Sequence, residues 1–400
     1  MLIAINANEL CTPGVNGVKY YTYNLLKALI DLDSKNKFVL YSKSKFQEEF
    51  RLEISKKRPG SFSQNIDFRG KKFKKELDKN FFHKVIKWRL PFWTYTRFPL
   101  ELRRIKPDVL FMPIQAVPFF LPRCRAVVVV HDLAFLKFPD DFTFKDRLKL
   151  SFHTRRAVKC ATRIIVPSEA TKKDIIRYYG VEPRKIRVIY HGYGQKFQIL
   201  NSKFQINSKI QNSKFRIQKP YILFVGAVQP RKNIQGLIKA FEALKSRFKI
   251  PNSRFKLAIA GPKGWLYKDI FEKARKSKYA KDIIFTGQIS REELSEIYRN
   301  AEVFVLPSFY EGFGLTILEA MAEGIPVIAS NVSSMPEVVG DAGVLVNPYK
   351  VDEITEAIYK IITDNDLRNK LIQKGFKQVQ KFSWEKCGKE TIEVISEIAE

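Results

Sequence analysis

Cysteine is scarce. The chain has four in 400 residues, Cys11, Cys124, Cys160 and Cys387. None stands in a CxxC pair, so neither a zinc site nor a disulfide framework is indicated, and a reducing compartment fits. Long apolar runs are missing too. No stretch approaches the roughly 20 residues of a bilayer-spanning helix. The start, MLIAINANELC, lacks the basic and apolar regions of a secretory signal. The chain is therefore expected to be soluble or peripheral. A GxGxxG fingerprint is absent after the first apolar run, where the sequence reads CTPGVNGVKYYT, and no acidic residue closes the second. The stretch fails as a dinucleotide-binding motif. Gly14 and Gly17 would let a phosphate approach the following helix, or simply serve a turn. Acidic residues are in deficit: 41 Asp and Glu face 71 Lys and Arg, a formal net charge of +30. Such a field attracts phosphate, whether on nucleic acid, anionic lipid or a phosphorylated substrate.

What is present is ample apolar material, 45% of the residues, in a chain long enough for two domains. LIAINAN, KFVLYS, DVLFMP, VVVVHDL, RIIVPS and KIRVIYHG read as strands alternating with helical patterns. Ser168 is placed to cap the helix EATKKDIIRYY and Gly180 to end it. The pattern restarts with YILFVGA, FKLAIAG, DIIFTG, VFVLPS, IPVIAS and GVLVNP. Ser290 and Glu293 form a capping-box pattern between them. Short apolar strands separated by helices imply parallel βαβ units. The fold class expected is α/β, with two doubly wound Rossmann-like domains in tandem. Their expected limits are 1–198 and 220–380, with an inserted segment at 199–219 and a last helix at 381–400 crossing back to the first domain. The insertion holds a low-complexity repeat, with Asn-Ser-Lys at 201, 207 and 212.

The candidate chemistry lies mostly in the second half. FYEGFGLTILEAMAEGIPVIAS follows a strand that Pro307 stops. Gly312 and Gly314 leave the backbone uncovered where a helix begins, and free amides with the helix dipole make an anion site there. Glu311 precedes that site and Glu319 lies further down a largely apolar helix, where a carboxylate wants a partner. A ligand with phosphates on the amides and hydroxyls on the carboxylates would suit both. The second feature is VGAVQPRKN, a strand end followed by Arg231 and Lys232 at the expected start of a helix. Cations oppose the dipole there, and a bound diphosphate would compensate. Third, His131 in VVVVHDLAF sits at the carboxyl end of a strand, where α/β folds build ligand sites.

Two DxD triplets, at 31–33 and 364–366, sit at helix ends, where capping or solvation explains them better than a divalent metal. The segment from Lys43 to Lys106 carries 19 Lys and Arg against 7 Asp and Glu. Aromatics interleave with that charge in FFHKVIKWRLPFWTYTRFPLELRR. Basic plus aromatic fits an anionic membrane surface or single-stranded nucleic acid. A folded stretch whose aromatics are core is the competing reading.

EGFGLTILE, GAVQPRKN and HDLAFLKFPDDF together resemble the retaining GT-B glycosyltransferases of family GT4, the glycosyl transferases group 1, and their mannosyltransferase-like branch. The resemblance covers nearly the whole chain outside 201–218 and much of 43–106. It implies hexosyl transfer from a nucleotide diphosphate sugar, GDP-mannose by branch, to a free or lipid-linked saccharide in surface-glycan synthesis. It implies a cytoplasmic protein, peripheral on the membrane's cytoplasmic face, with no cofactor and no metal, and with the site in a cleft that closes on the donor. Nucleic acid is not expected as a partner. Arg231 and Lys232 would hold the diphosphate. Glu311 would meet the transferred sugar beside the backbone of Gly312, Phe313 and Gly314. Leu315 and Thr316 would offer amides to the phosphates, Glu319 would hold the ribose, and Gln288 and Ile289 would border the base. His131 would stand near the sugar, and Gly17 would let the diphosphate approach. The chain departs from the branch in GVKYYT, with Lys19 where a glycine is common. A nucleotide-sugar epimerase or hydrolase is the alternative on this fold, and a basic nucleic-acid-binding protein the alternative outside it.

Overall fold

The computed structural model describes residues 1–11, 17–33, 35–46, 66–67, 72–73, 76–78, 80–88, 92–194, 217–248 and 255–399. Gly14, part of the basic segment and the Asn-Ser-Lys repeat, apart from its last two residues, lie outside them. Two units emerge. The N-terminal unit comprises Met1–Leu133, Lys145–Gly192 and Ser383–Glu400, and the C-terminal unit Ala134–Phe144 and Tyr193–Phe382.

The N-terminal unit carries β1 (Leu2–Asn6), β2 (Lys37–Ser42), β3 (Ile66–Asp67), β4 (Lys72–Phe73), β5 (Glu76–Asp78), β6 (Phe81–Val85), β7 (Val109–Met112), β8 (Arg125–Val129), β9 (Arg163–Val166) and β10 (Ile186–Val188). β3 and β4 form a small antiparallel pair. The others form one sheet, ordered β10-β9-β8-β7-β1-β2-β6-β5 and parallel except for β5. Every residue of β1 and β7 is buried, which is why these strands read as unbroken apolar runs rather than alternating ones. The anticipated signposts act as read. Ser168 Oγ accepts from the Thr171 amide at 3.1 Å, and Gly180 closes the same helix at φ 62°.

The last helix, Trp384–Glu397, packs on the first, Gly17–Leu32. Trp384, Cys387, Val394 and Ile395 share one core with Leu25, Ala28 and Leu29. The contact needs a small residue: a Cβ on Gly388 would lie 2.9 Å from Leu32 Cδ1 and 3.1 Å from Ala28 Cβ.

In the aromatic run, Phe81 and Phe82 are buried in β6, and Trp93 and Phe98 stack at 5.1 Å inside the unit. Several of the cations are engaged internally. Lys84, Arg97 and Arg104 surround the buried Glu101 at 2.8, 3.0 and 3.1 Å. This part of the run is core. Phe92 is an exception, at 64% exposed.

The C-terminal unit has β11 (Tyr221–Val225), β12 (Lys256–Ala260), β13 (Ile283–Gly287), β14 (Val303–Leu306), β15 (Val327–Ser330) and β16 (Gly343–Val346), ordered β13-β12-β11-β14-β15-β16. All are parallel. Its helices include Ile234–Arg247, Arg291–Arg299 and Leu315–Ala322. The capping box forms, with both the Ser290 and the Glu293 side chains engaged.

One part of the unit was not anticipated. Ala134–Phe144, expected in the first domain, belongs here. Phe138 faces Phe309 and Tyr310 with ring centroids 6.3 and 6.1 Å apart, and Phe142 meets Trp265 edge-on at 5.0 Å. Aromatic anchoring outweighs chain continuity. The unit's limits fall at Tyr193 and Phe382 rather than at 220 and 380.

Candidate active site

In the C-terminal sheet the strand order reverses between β11 and β14. Open parallel sheets bind ligands outside the carboxyl ends of the strands at such a switch. Two loops leave there, 226–233 after β11 and 307–314 after β14. Their backbones are tied, since the Phe309 amide donates to the Arg231 carbonyl at 2.9 Å.

The first loop turns through a short 3-10 element, Pro230–Lys232, and Asn233, at φ 54°, opens the helix Ile234–Arg247. Arg231 and Lys232 thus stand ahead of the helix, not in its first turn as the sequence suggested. The left-handed Asn233 separates them from it. Both reach across to the second loop. The Arg231 guanidinium donates to the Tyr310 carbonyl and lies 3.6 Å from Glu311 Oε2. Lys232 Nζ donates to Glu311 Oε1 at 2.5 Å, and Ser308 Oγ donates to the same oxygen at 2.7 Å.

Glu311 is 8% exposed. Burial by itself would push its carboxyl up. The charges of Lys232 and Arg231, with hydrogen bonds from Lys232 and Ser308, outweigh that and hold it below its ordinary range. Glu311 is therefore an anion between two cations, a cluster with its charges fixed before any ligand arrives.

The EGFG turn is held from behind. Ser333 Oγ donates to the Glu311 carbonyl at 2.6 Å, and Ser334 Oγ lies 2.9 Å from the carbonyls of both Glu311 and Phe313. Phe313 is buried against the edge of Phe382, 5.8 Å between centroids. Gly314 takes φ 105° and precedes Leu315–Ala322, and no side chain caps that helix. An L-residue would be strained at this φ. The first-turn amides of a helix, here those of Leu315 and Thr316, have no intrahelical acceptor, so the helix start offers donors to an anion. Glu319 lies one turn on. Its Oε2 accepts from the hydroxyl of the buried Tyr298 at 3.0 Å.

The structure thus brings together Arg231, Lys232, Glu311 and the turn through Gly312, Phe313 and Gly314, with the Glu319 helix continuing from it. Gln288 and Ile289 stand at the carboxyl end of β13, two strands from β11, exposed and half-buried respectively.

His131 and Gly17 belong to the N-terminal unit. Gly17 opens the first helix, and a Cβ there would meet nothing within 4 Å. His131 lies just past β8, where Nε2–H donates to the Pro113 carbonyl at 2.8 Å. Tyr21 and His191 meet its ring edge-on at 4.9 and 5.6 Å. Burial lowers its pKa more than the Pro113 carbonyl and Asp132 raise it, so the imidazole is neutral at pH 7 with Nδ1 unprotonated. The DxD triplets act as turn residues. Asp33 Oδ1 accepts from the amides of Lys35 and Asn36, and Asp364 from that of Leu367.

Sequence reading missed several members of the cluster. Ser308, Ser333, Ser334 and Tyr298 carry no spacing signal of their own. Asp141 was missed because its segment was assigned to the other unit. It faces Arg231. Burial pushes the Asp141 carboxyl up against the opposing pull of the Arg231 charge and backbone amide.

Comparison with known proteins follows this geometry. Residues 205–378 match the family described as glycosyl transferases group 1, and residues 15–194 match glycosyltransferase family 4. The O-antigen chain mannosyltransferase B of Escherichia coli is 34% identical over 277 residues, 68% of this chain and 71% of that protein. The serotype-specific mannosyltransferase WbdA of Escherichia coli is 26% identical over 71% of this chain, which spans 36% of WbdA. Among solved structures, WaaG, a glycosyltransferase involved in lipopolysaccharide biosynthesis, aligns over 99% of both chains at TM-score 0.68 and 15% identity. Anabaena Alr3699/HepE, solved with UDP-glucose, does so at TM-score 0.69 and 15% identity.

Two doubly wound parallel-sheet units in one chain, matched end to end by these structures, define the GT-B fold. The chain belongs to glycosyltransferase family 4, the glycosyl transferases group 1, and by class it is a hexosyltransferase.

Proposed function

We propose that the protein transfers mannose from GDP-mannose, with retention at the anomeric carbon, to a lipid-linked saccharide at a membrane surface during surface-glycan synthesis. The observation that carries the nucleotide-sugar reading is the cluster at the β11–β14 switch. Two cations and one buried carboxylate stand beside an uncapped helix start. A diphosphate matches the cations and helix amides, and sugar hydroxyls match the carboxylate. The mannosyltransferase names of the sequence relatives support the choice of sugar.

In the proposed reaction the bond between the anomeric carbon and the diphosphate oxygen breaks, and its electron pair leaves with the nucleotide. Arg231, Lys232 and the amides of Leu315 and Thr316 stabilise that developing charge. The acceptor oxygen bonds to the same face of the sugar, and its proton passes to the departing phosphate. Glu311 orients the sugar through its hydroxyls and keeps Lys232 in place. A carboxylate nucleophile would also give retention, but Glu311 is already held by Lys232 and Ser308, which favours the leaving-group-assisted route. Glu319 binds the ribose, and Gln288 and Ile289 border the base. His131 serves as a neutral hydrogen-bonding group.

The test is a donor screen read by nucleotide release, with and without a polyprenyl-linked saccharide. Release from GDP-mannose that requires the acceptor supports the reading. Release without acceptor, or epimerisation of the donor, would replace it with a hydrolase or an epimerase. RNA or DNA binding with no donor turnover would overturn it.

A further inference from the structure

The N-terminal unit exposes large apolar side chains in one connected group. Phe92 is 64% exposed, Phe120 68%, Leu148 54% and Phe152 53%. Tyr95 links them. Its ring lies 6.4 Å from Phe92 and 4.9 Å from Phe119, and Phe119 lies 6.3 Å from Phe152. Leu148 precedes Phe152 by four residues on the helix Phe144–Cys160, so the two share a face. Isolated exposed apolar residues are ordinary, but a contiguous group marks an interaction surface.

The group is built to stay exposed. Arg156 donates to the Pro118 carbonyl at 2.8 Å and to that of Phe119. Its guanidinium lies 5.6 Å from the Phe119 ring. The loop after β7 is thereby pinned with Phe119 and Phe120 outward, so little ordering is left for a partner to impose.

The surrounding charge is predominantly positive. Lys149, Arg155 and Lys159 are exposed on the same helix as Leu148 and Phe152, and Arg123 is exposed in the loop. Across 113–125 and 145–160 there are eight Lys and Arg and a single acid, Asp146. Apolar rings set among cations fit a surface that is greasy inside and negative outside. Among the described residues of the basic-aromatic run at 81–104, Phe92 and Tyr95 join the group. No helix among the described residues is long and apolar enough to cross a membrane, so this contact would lie on the bilayer rather than through it.

We propose that Phe92, Phe119, Phe120, Leu148 and Phe152, with their cationic surround, dock the protein on an anionic lipid bilayer. The inference names a surface for the membrane-held acceptor of the preceding reading and rests on that reading for its purpose. Its test uses neither donor nor acceptor, so the two can fail separately.

The experiment is flotation of the full chain with phosphatidylcholine vesicles and with vesicles containing phosphatidylglycerol, at low and high salt. Three forms are compared: the unaltered chain, Phe120→Ser with Phe152→Ser, and Lys149→Glu with Arg155→Glu. All four positions are exposed, and unchanged circular dichroism and melting confirm folding. The unaltered chain is expected to float with the anionic vesicles only, less at high salt. Each double variant should lose at least tenfold in partitioning. No flotation with anionic vesicles, or equal flotation of the aromatic variant, would overturn the proposal.

Discussion

Replacing Glu311 by Gln separates stability from chemistry at the proposed site. Glu311 is 8% exposed, and the side chains of Arg231 and Lys232 are 13% and 14% exposed. The substitution keeps the shape, and its amide oxygen still accepts from Ser308 and Lys232. It removes the negative charge that these two cations share, and it can turn an amide N–H₂ toward Arg231. Removing one partner of a buried ion pair costs about 3–5 kcal/mol, since an uncompensated charge remains. Retention of the hydrogen bonds places Glu311→Gln near the lower end, about 3 kcal/mol. For a domain of this size that is a fall of roughly 6–12 °C in melting temperature.

The pH dependence has a definite sign. The Glu311 carboxyl titrates below its unfolded value, so its contribution is complete above about pH 4.5 and is lost as pH falls through the folded pKa. Glu311→Gln should lose this acid-dependent part and converge with the unaltered chain at low pH. Ligand binding should move the other way. With their internal counterion gone, Arg231 and Lys232 should hold a nucleoside diphosphate at least as tightly, even as sugar transfer falls. Melting and denaturant curves from pH 3 to 7, with calorimetry of GDP binding, test both halves. Equal stability at pH 7, or a loss of GDP affinity beyond tenfold, would refute the reasoning.

Glu319→Gln retains the Tyr298 hydrogen bond but loses the charge proposed to meet the ribose. GDP affinity should fall about tenfold, roughly 1.4 kcal/mol, and unchanged affinity by calorimetry would remove the ribose role. Gly192→Ala should destabilise the N-terminal unit by about 3 kcal/mol or more. Its Cβ would fall 2.1 Å from the Trp384 amide nitrogen and 2.5 Å from the Ser383 carbonyl carbon. A variant melting within a degree of the parent would contradict that packing. Gly314→Ala should cost about 1–2 kcal/mol, since φ is 105° there, and should lower transfer by disturbing the helix start. Full activity and stability in that variant would show the turn to be dispensable.

The alternation of strands and helices was readable because parallel strands covered on both faces leave continuous apolar runs, as in LIAIN and YILFV. The caps at Ser168 and Ser290 were readable because they depend on side chains close in sequence. Arg231, Lys232 and Glu311 could each be found as motif residues. Their mutual pairing could not, because it depends on β11 and β14 being neighbours across 79 residues of chain. Ser333 and Ser334 reach the EGFG turn from β15's loop for the same reason. Aromatic content left the run at 81–104 open between surface and core, and Phe81, Trp93 and Phe98 are core; Phe138 and Phe142 hold a segment expected in the first domain within the other unit. Composition cannot tell a ring that is buried from one that is exposed, and only the partner decides.

Arg231 is where the central claim is most exposed to test: that its charge stabilises the departing diphosphate. Single-turnover transfer from GDP-mannose should be measured for the unaltered chain and for Arg231→Ala. Loss of one such contact typically costs about 3–4 kcal/mol, or roughly 10²–10³-fold in the rate of transfer; because the Arg231 charge also faces Glu311 and Asp141, some loss of stability accompanies it, and both proteins are assayed at a temperature where circular dichroism shows them folded. A fall of that size in the folded variant is the predicted result. A rate within threefold of the unaltered chain would contradict it.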